Sequence, residues 1–238
     1  MCGPSVGTLG AVTHQDKIWE HFQLAHLEAF ADARPRLDYL VRRARRQAGQ
    51  RPTVLTVGIG DGYLERTIHG KGWLLTALDP VAGAAERLRS EGIDAREGVM
   101  ETMPFPDASF DVVIATEVLE HLSDAQGDMA LAETARVLRH RGWFVGTVPA
   151  NEDLTAHTRT CPNCGHTAHY WGHQRSFTAD GLRTDLGQYF AKVDISVRAF
   201  PNFKRKGVGN LAKSTARWLL GRAGSALSDP KLAFAAQR

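Results

Sequence analysis

Side chains able to do chemistry gather in three stretches of this chain. Glu117-Val118-Leu119-Glu120-His121 sets two carboxylates and an imidazole within five residues. Such a group can take a proton from a hydroxyl, and imidazole is the one side chain whose ordinary pKa, roughly 6.5, lies near neutrality. His121 is therefore the expected base and Glu120 its companion; the plainer alternative is that the pair only buttresses the following turn. The second stretch is Cys161-Pro162-Asn163-Cys164 with His169 and His173 behind it. Two thiolates and two imidazoles at this spacing suit a tetrahedral Zn²⁺. A closed four-ligand site would be structural, ordering a loop with little apolar content of its own. His166 is a spare ligand, and a metal-free loop is the alternative.

The third stretch is a glycine loop. Val54-Leu55-Thr56-Val57 runs into Gly58, Gly60 and Gly62, and Leu74-Leu75-Thr76-Ala77-Leu78 then ends on Asp79. Glycines let backbone turn sharply and approach a ligand closely, and a helix beginning there offers free N–H groups. Asp79 is placed to accept two ribose hydroxyls. A dinucleotide loop needs G-x-G-x-x-G; here the third glycine comes one residue early and Tyr63 follows it, which argues against a pyrophosphate.

These residues need a scaffold. Apolar strands at 53–58, 73–79, 93–97, 111–116, 143–148 and 190–198 alternate with helices from 62, over 81–91, 124–139 and 178–187. That rhythm predicts an α/β fold, a doubly wound, mostly parallel sheet covered on both faces. In such a sheet the ligand sits beyond the carboxyl ends of the strands, at the switch point beside the first. Helices precede the sheet, with Trp19, Phe22 and Phe30 expected to close over the site or, equally, to pack into the core, and residues 150–176 interrupt the alternation. The domain reading is a helical lid over 1–50, a catalytic domain over 51–200 with its insertion at 150–176, and a basic helical tail over 201–238.

With 238 residues, 43% of them hydrophobic, one core is expected. No apolar run reaches the roughly 20 residues that cross a bilayer, and the start lacks signal-peptide regions, so a cytoplasmic protein is expected. Residues 201–238 hold eight Lys or Arg against Asp229 alone. A helix over 210–221 with Trp218 among basic residues suits contact with an anionic membrane or a phosphate; packing of Trp218 onto the sheet is the alternative.

Over about residues 50–150 the chain resembles class I S-adenosylmethionine-dependent methyltransferases of type 11. The likeness rests on G-x-G-x-G at Gly58, Gly60 and Gly62, on Glu97 to Asp111, on Thr116 to Leu122, and on Glu133 to Gly142. It implies S-adenosylmethionine as cofactor, with those glycines shaping the methionine pocket, Asp79 on the ribose, Met100 beside adenine and Thr116 under the sulfonium. Thr56 and Val99 stand where the family often has acids, which predicts weakened cofactor binding. The insertion, with Gly172-His173 and Ser176-Phe177, resembles a bacterial subset associated with glycan and secondary-metabolite modification. The implied function is O-methylation of a small-molecule or glycan hydroxyl. Glu117, Glu120 and His121 with His173 also resemble RNA terminal 2′-O-methyltransferases that use Mg²⁺ or Mn²⁺. That is the alternative, disfavoured because the body lacks a basic stripe with interleaved aromatics. A non-catalytic methyltransferase-like adaptor is the second alternative.

Overall fold

The computed structural model describes residues 21, 23–162, 165, 167–201, 212, 215–216 and 229–238. A seven-stranded sheet runs in the order β3-β2-β1-β4-β5-β9-β8. Its strands are β1 (Thr53–Val57), β2 (Leu74–Asp79), β3 (Asp94–Glu97), β4 (Phe110–Thr116), β5 (Leu138–Pro149), β8 (Lys192–Arg198) and β9 (Lys231–Gln237). The first five are parallel, and β9 enters antiparallel between β5 and β8. β6 (Thr158–Thr160) and β7 (Thr167–His169) form a separate antiparallel hairpin inside the insertion.

Helices α1 (Arg34–Ala48), α2 (Tyr63–His69), α3 (Ala82–Ser90), α4 (Asp124–Val137) and α5 (Ala179–Gly187) cover the two faces. Leu37, Leu40, Val41 and Ala44 of α1 pack with Val54, Ile68 and Val112 on one side. Leu131, Leu182 and Leu186 pack with Leu55, Val113 and Phe144 on the other. Strands buried on both faces read as continuous apolar runs for this reason. Ser123 caps α4: its hydroxyl accepts from the Gln126 N–H while the Gln126 side chain accepts from the Ser123 N–H.

Two expectations change. Residues 231–237 belong to no tail: they are a central strand, buried from Leu232 to Ala236, so the sheet closes only near the end of the chain. The reading failed because Lys-Leu-Ala-Phe-Ala-Ala-Gln is rich in alanine, which favours helix and is depleted in strands. β5 also starts at Leu138 rather than at Trp143, with a register irregularity where β4 pairs it between Phe110 and Val112. The basic helix expected over 210–221 and the lid residues Trp19 and Phe22 lie mostly outside the described residues. Among the described residues no helix is long and apolar enough to cross a membrane.

Candidate active site

The carboxyl ends of β1, β2 and β4 converge on the glycine loop. Gly58, Gly60 and Gly62 have φ of 83°, 56° and 78°, a region open to glycine and strained for other residues. The space above them is close-fitted. A Cβ on Gly58 would lie 3.0 Å from Val118, and one on Gly60 would lie 3.1 Å from the Phe30 ring. The Phe30 ring, from the 3-10 turn Leu27–Ala33, thus lies over Gly60.

Asp79 is fully buried. Its Oδ2 accepts from the Ile59 N–H at 2.7 Å and its Oδ1 from the Val81 N–H at 2.8 Å. Unforeseen in the sequence is Gln23, whose amide also donates to Oδ2 at 3.0 Å. Arg87 ties this segment down by donating to the carbonyls of Gln23 and Gly60. Burial pushes the Asp79 carboxyl above its usual range despite those donors.

Thr56 is fully buried, and so is Glu65 from α2, which lies against it. Burial pushes the Glu65 carboxyl up to about 8, and Asp79 and Asp61 are close enough to add to the rise. A carboxyl group thus reaches the base of the loop from α2 rather than from β1. Met100 is buried in the core, while Val99 beside it is 42% exposed.

At the end of β4, Thr116 Oγ1 and Thr147 Oγ1 lie 2.6 Å apart, and Thr147 also donates to Glu117. Glu117 turns away from the histidines: Lys231 Nζ lies 3.0 Å and Arg36 Nη1 3.4 Å from its Oε2. Burial opposes its charge, but those two cations hold its carboxyl below the usual range. Glu120, in the turn Leu119–His121, is fully buried, and neither carboxylate oxygen has a hydrogen-bond partner among the described residues. Burial, then the charge of Glu117, push it well up.

His121 Nδ1 lies 3.3 Å from the Gly172 carbonyl, a contact that favours the tautomer with the proton on Nδ1 and the lone pair on Nε2. Burial lowers its pKa to about 3, so the ring is neutral at ordinary pH. The segment after the hairpin is docked on this turn. The N–H groups of Gln174 and Arg175 donate to the Glu120 carbonyl at 2.7 and 3.1 Å, and the Gln174 amide donates to the His121 carbonyl. His173 is thereby brought edge-on to His121, with ring centroids 4.7 Å apart.

The histidines of the expected zinc set find different company. Ligand-type atoms of Glu152, His169 and His173 lie within 4.8 Å of one another, as do those of Glu120, His121 and His173. Cys161 is in neither group, and Cys164 lies outside the described residues. Of the alternative Mg²⁺ or Mn²⁺ set, Glu120, His121 and His173 gather while Glu117 is held by Lys231 and Arg36. Glu152, directly after β5, was not singled out by any spacing in the sequence. The only signal for it was an acid just past the carboxyl end of a central strand.

Residues 55–146 match the family model described as a methyltransferase domain. That stretch is thus similar to a methyltransferase domain, and in fold the chain is similar to a solved S-adenosylmethionine-dependent methyltransferase of Thermotoga maritima at a TM-score of 0.64 and 15% identity, covering 94% of this chain and 100% of that one. A protein of Mycolicibacterium smegmatis named a probable S-adenosylmethionine-dependent methyltransferase is 35% identical over 128 residues, 53% of this chain and 48% of that protein. The chain thus matches about half the length of that relative. An uncharacterized methyltransferase of Geobacillus thermodenitrificans is 28% identical over 180 residues, 74% of this chain and 78% of its own. In fold the domain is similar to Burkholderia thailandensis 1,6-didemethyltoxoflavin-N1-methyltransferase, solved with bound S-adenosylhomocysteine. The TM-score is 0.65 at 17% identity, covering 98% of this chain and 93% of that one.

Proposed function

We propose that the chain transfers a methyl group from S-adenosylmethionine to a hydroxyl of a small-molecule, secondary-metabolite or glycan acceptor. The observation that carries this reading is the place of the His121 imidazole just past the end of β4, grouped with Glu120 and three residues from Val118, whose side chain would lie 3.0 Å from a Cβ on Gly58 of the glycine loop. The loop fits the cofactor: three positive-φ glycines form a cradle that side chains would fill, and Asp79 lies at the end of β2 beside it. When bound, S-adenosylmethionine supplies a methyl group on a positively charged sulfur. The chain's part is to align the acceptor oxygen and remove its proton. Alignment lowers the barrier most, and a base matters because a hydroxyl is a poor nucleophile until its proton leaves. His121 takes that proton on Nε2, and Glu120, kept neutral by burial and by the charge of Glu117, lies beside the ring.

The test is methyl transfer from labelled S-adenosylmethionine to a panel of hydroxyl, amine and carbon acceptors, with His121→Ala and His121→Gln alongside. A hydroxyl product, and a fall in kcat of about 10²–10⁴-fold with unchanged affinity for S-adenosylhomocysteine, are expected. A product methylated on nitrogen or carbon, or full activity in both variants, would overturn the reading.

The convergence of Glu120, His121 and His173 supports a second reading, ion-assisted methylation of an RNA terminal 2′-hydroxyl. Carboxylate and imidazole ligands with open positions suit Mg²⁺ or Mn²⁺. Activity abolished by chelation and restored by Mn²⁺ would favour it, and chelator-resistant turnover would exclude it. Elemental analysis of the purified protein, repeated for Cys161→Ser, tests the structural zinc. Zinc retained in that variant would rule out Cys161 as a ligand.

A further inference from the structure

We propose that Glu152 is a positioning residue for methyl transfer, holding the His173 imidazole in one orientation and one tautomer against His121. The proposal rests on the reading of His121 as the residue that meets the acceptor. Glu152 sits three residues beyond Pro149, the end of β5, where its backbone is set by two neighbours. The Ala150 N–H donates to the Pro230 carbonyl and the Asn151 N–H to the Phe177 carbonyl. The carboxylate therefore stands on the rigid end of the sheet, while the histidines it meets come from the insertion.

Its two oxygens face two rings, and one of them is hydrogen-bonded. Oε2 lies 2.5 Å from His173 Nδ1, and Oε1 lies 3.6 Å from His169 Nε2. The His173 N–H donates to His169 Nδ1 at 3.1 Å, so His169 carries its proton on Nε2, facing Glu152. The two rings are stacked, with centroids 4.6 Å apart and planes 22° from parallel. His173 is thus packed against His169 on one side and edge-on to His121 on the other. A carboxylate at Nδ1 fixes the proton there, which leaves the lone pair on Nε2.

All of this is enclosed. The side chains of His169, His173 and Glu152 are 5%, 9% and 14% exposed. Among the described residues no other acid joins this group of three. Removing Glu152 would leave His173 free to turn or change tautomer, while its backbone stays docked through Gln174 and Arg175 on Glu120. A misplacement of about 1 Å beside reacting atoms lowers rate by about a hundredfold.

The experiment compares Glu152→Ala, Glu152→Gln and wild type, labelled with ¹⁵N-histidine, by two-bond ¹H–¹⁵N spectra and by steady-state kinetics. In wild type the His173 signals should show one Nδ1–H tautomer. In Glu152→Ala they should show a mixture or the opposite tautomer, and in Glu152→Gln, whose amide oxygen can still accept from Nδ1–H, the wild-type form should return. Kinetically, kcat of Glu152→Ala should fall about 10–100-fold with the KM for S-adenosylmethionine within twofold, and Glu152→Gln should recover part of the loss. An unchanged His173 tautomer in Glu152→Ala, or a kcat that falls only in proportion to loss of folded protein, would overturn the proposal. Should no hydroxyl acceptor be methylated by wild type, the O-methylation reading fails, and the spectra alone decide the role of Glu152.

Discussion

Gln23 shows how a single residue can set the affinity of the candidate cofactor site. It is 6% exposed and donates to the same Asp79 oxygen that accepts from Ile59. A ribose hydroxyl arriving at Asp79 must compete with this amide, and a hydrogen bond of this kind is worth about 1 kcal/mol net. Gln23→Ala should therefore bind S-adenosylhomocysteine about fivefold more tightly by calorimetry while melting at a lower temperature. Weaker binding would instead place Gln23 among the contacts of the bound state. Nothing in the sequence pointed to this residue, because it belongs to no motif and its partner is 56 positions away. The residues of the glycine loop, Asp79, Glu120, His121 and His173 were legible because their types follow from chemistry at short spacing. Glu152 and Glu65 were not, since what they do depends on which buried neighbours the fold supplies.

At the level of elements, the part of the sheet that alternates with helices was legible in apolar runs and punctuating glycines. Three strands were missed. β6 and β7 have three residues each, too few to carry a pattern, and β9 hides in alanine. The alanines have a reason in the packing: Phe144 meets Phe190 at a tilt and Phe234 edge-on in this part of the sheet, and small residues on the crossing strand leave them room. The tightest point is Gly146 of β5, paired with Ala115 on one side and Phe234 on the other. A Cβ there would lie 1.9 Å from the Ala115 carbonyl oxygen and 2.6 Å from the Phe234 ring. Since strand backbone cannot move away without breaking pairing on both sides, Gly146→Ala should destabilise by more than about 4 kcal/mol. Circular dichroism melts and soluble yield check this, and a variant melting within a few degrees of wild type would refute the packing described.

For the whole molecule, buried carboxyl groups set how stability varies with pH. Glu117, clamped by Lys231 of β9 and Arg36 of α1, has a folded pKa below its unfolded value near 4.5. Its contribution is fully present above that value and is lost as pH falls through the folded one. Glu65, Asp79 and Glu120 have the opposite sign, because burial raises each. A group whose folded pKa is raised stabilises below its unfolded pKa and loses that contribution as pH rises toward the folded value. For Glu65 the window runs from near 4.5 to about 8. At about 1.4 kcal/mol per unit, its share of the decline is on the order of 4 kcal/mol. The cofactor-free protein should therefore be most stable near pH 5 and weaken toward pH 8. Glu65→Gln keeps the shape of the protonated acid without its charge, so it should match wild type in urea unfolding at pH 5 and exceed it by several kcal/mol at pH 8. Equal gains at both pH values would mean that the substitution acts through packing. No gain at pH 8 would mean that Glu65 is ionised there and paired, so the carboxyl beneath the glycine loop would be a charge waiting for the cofactor rather than a neutral acid.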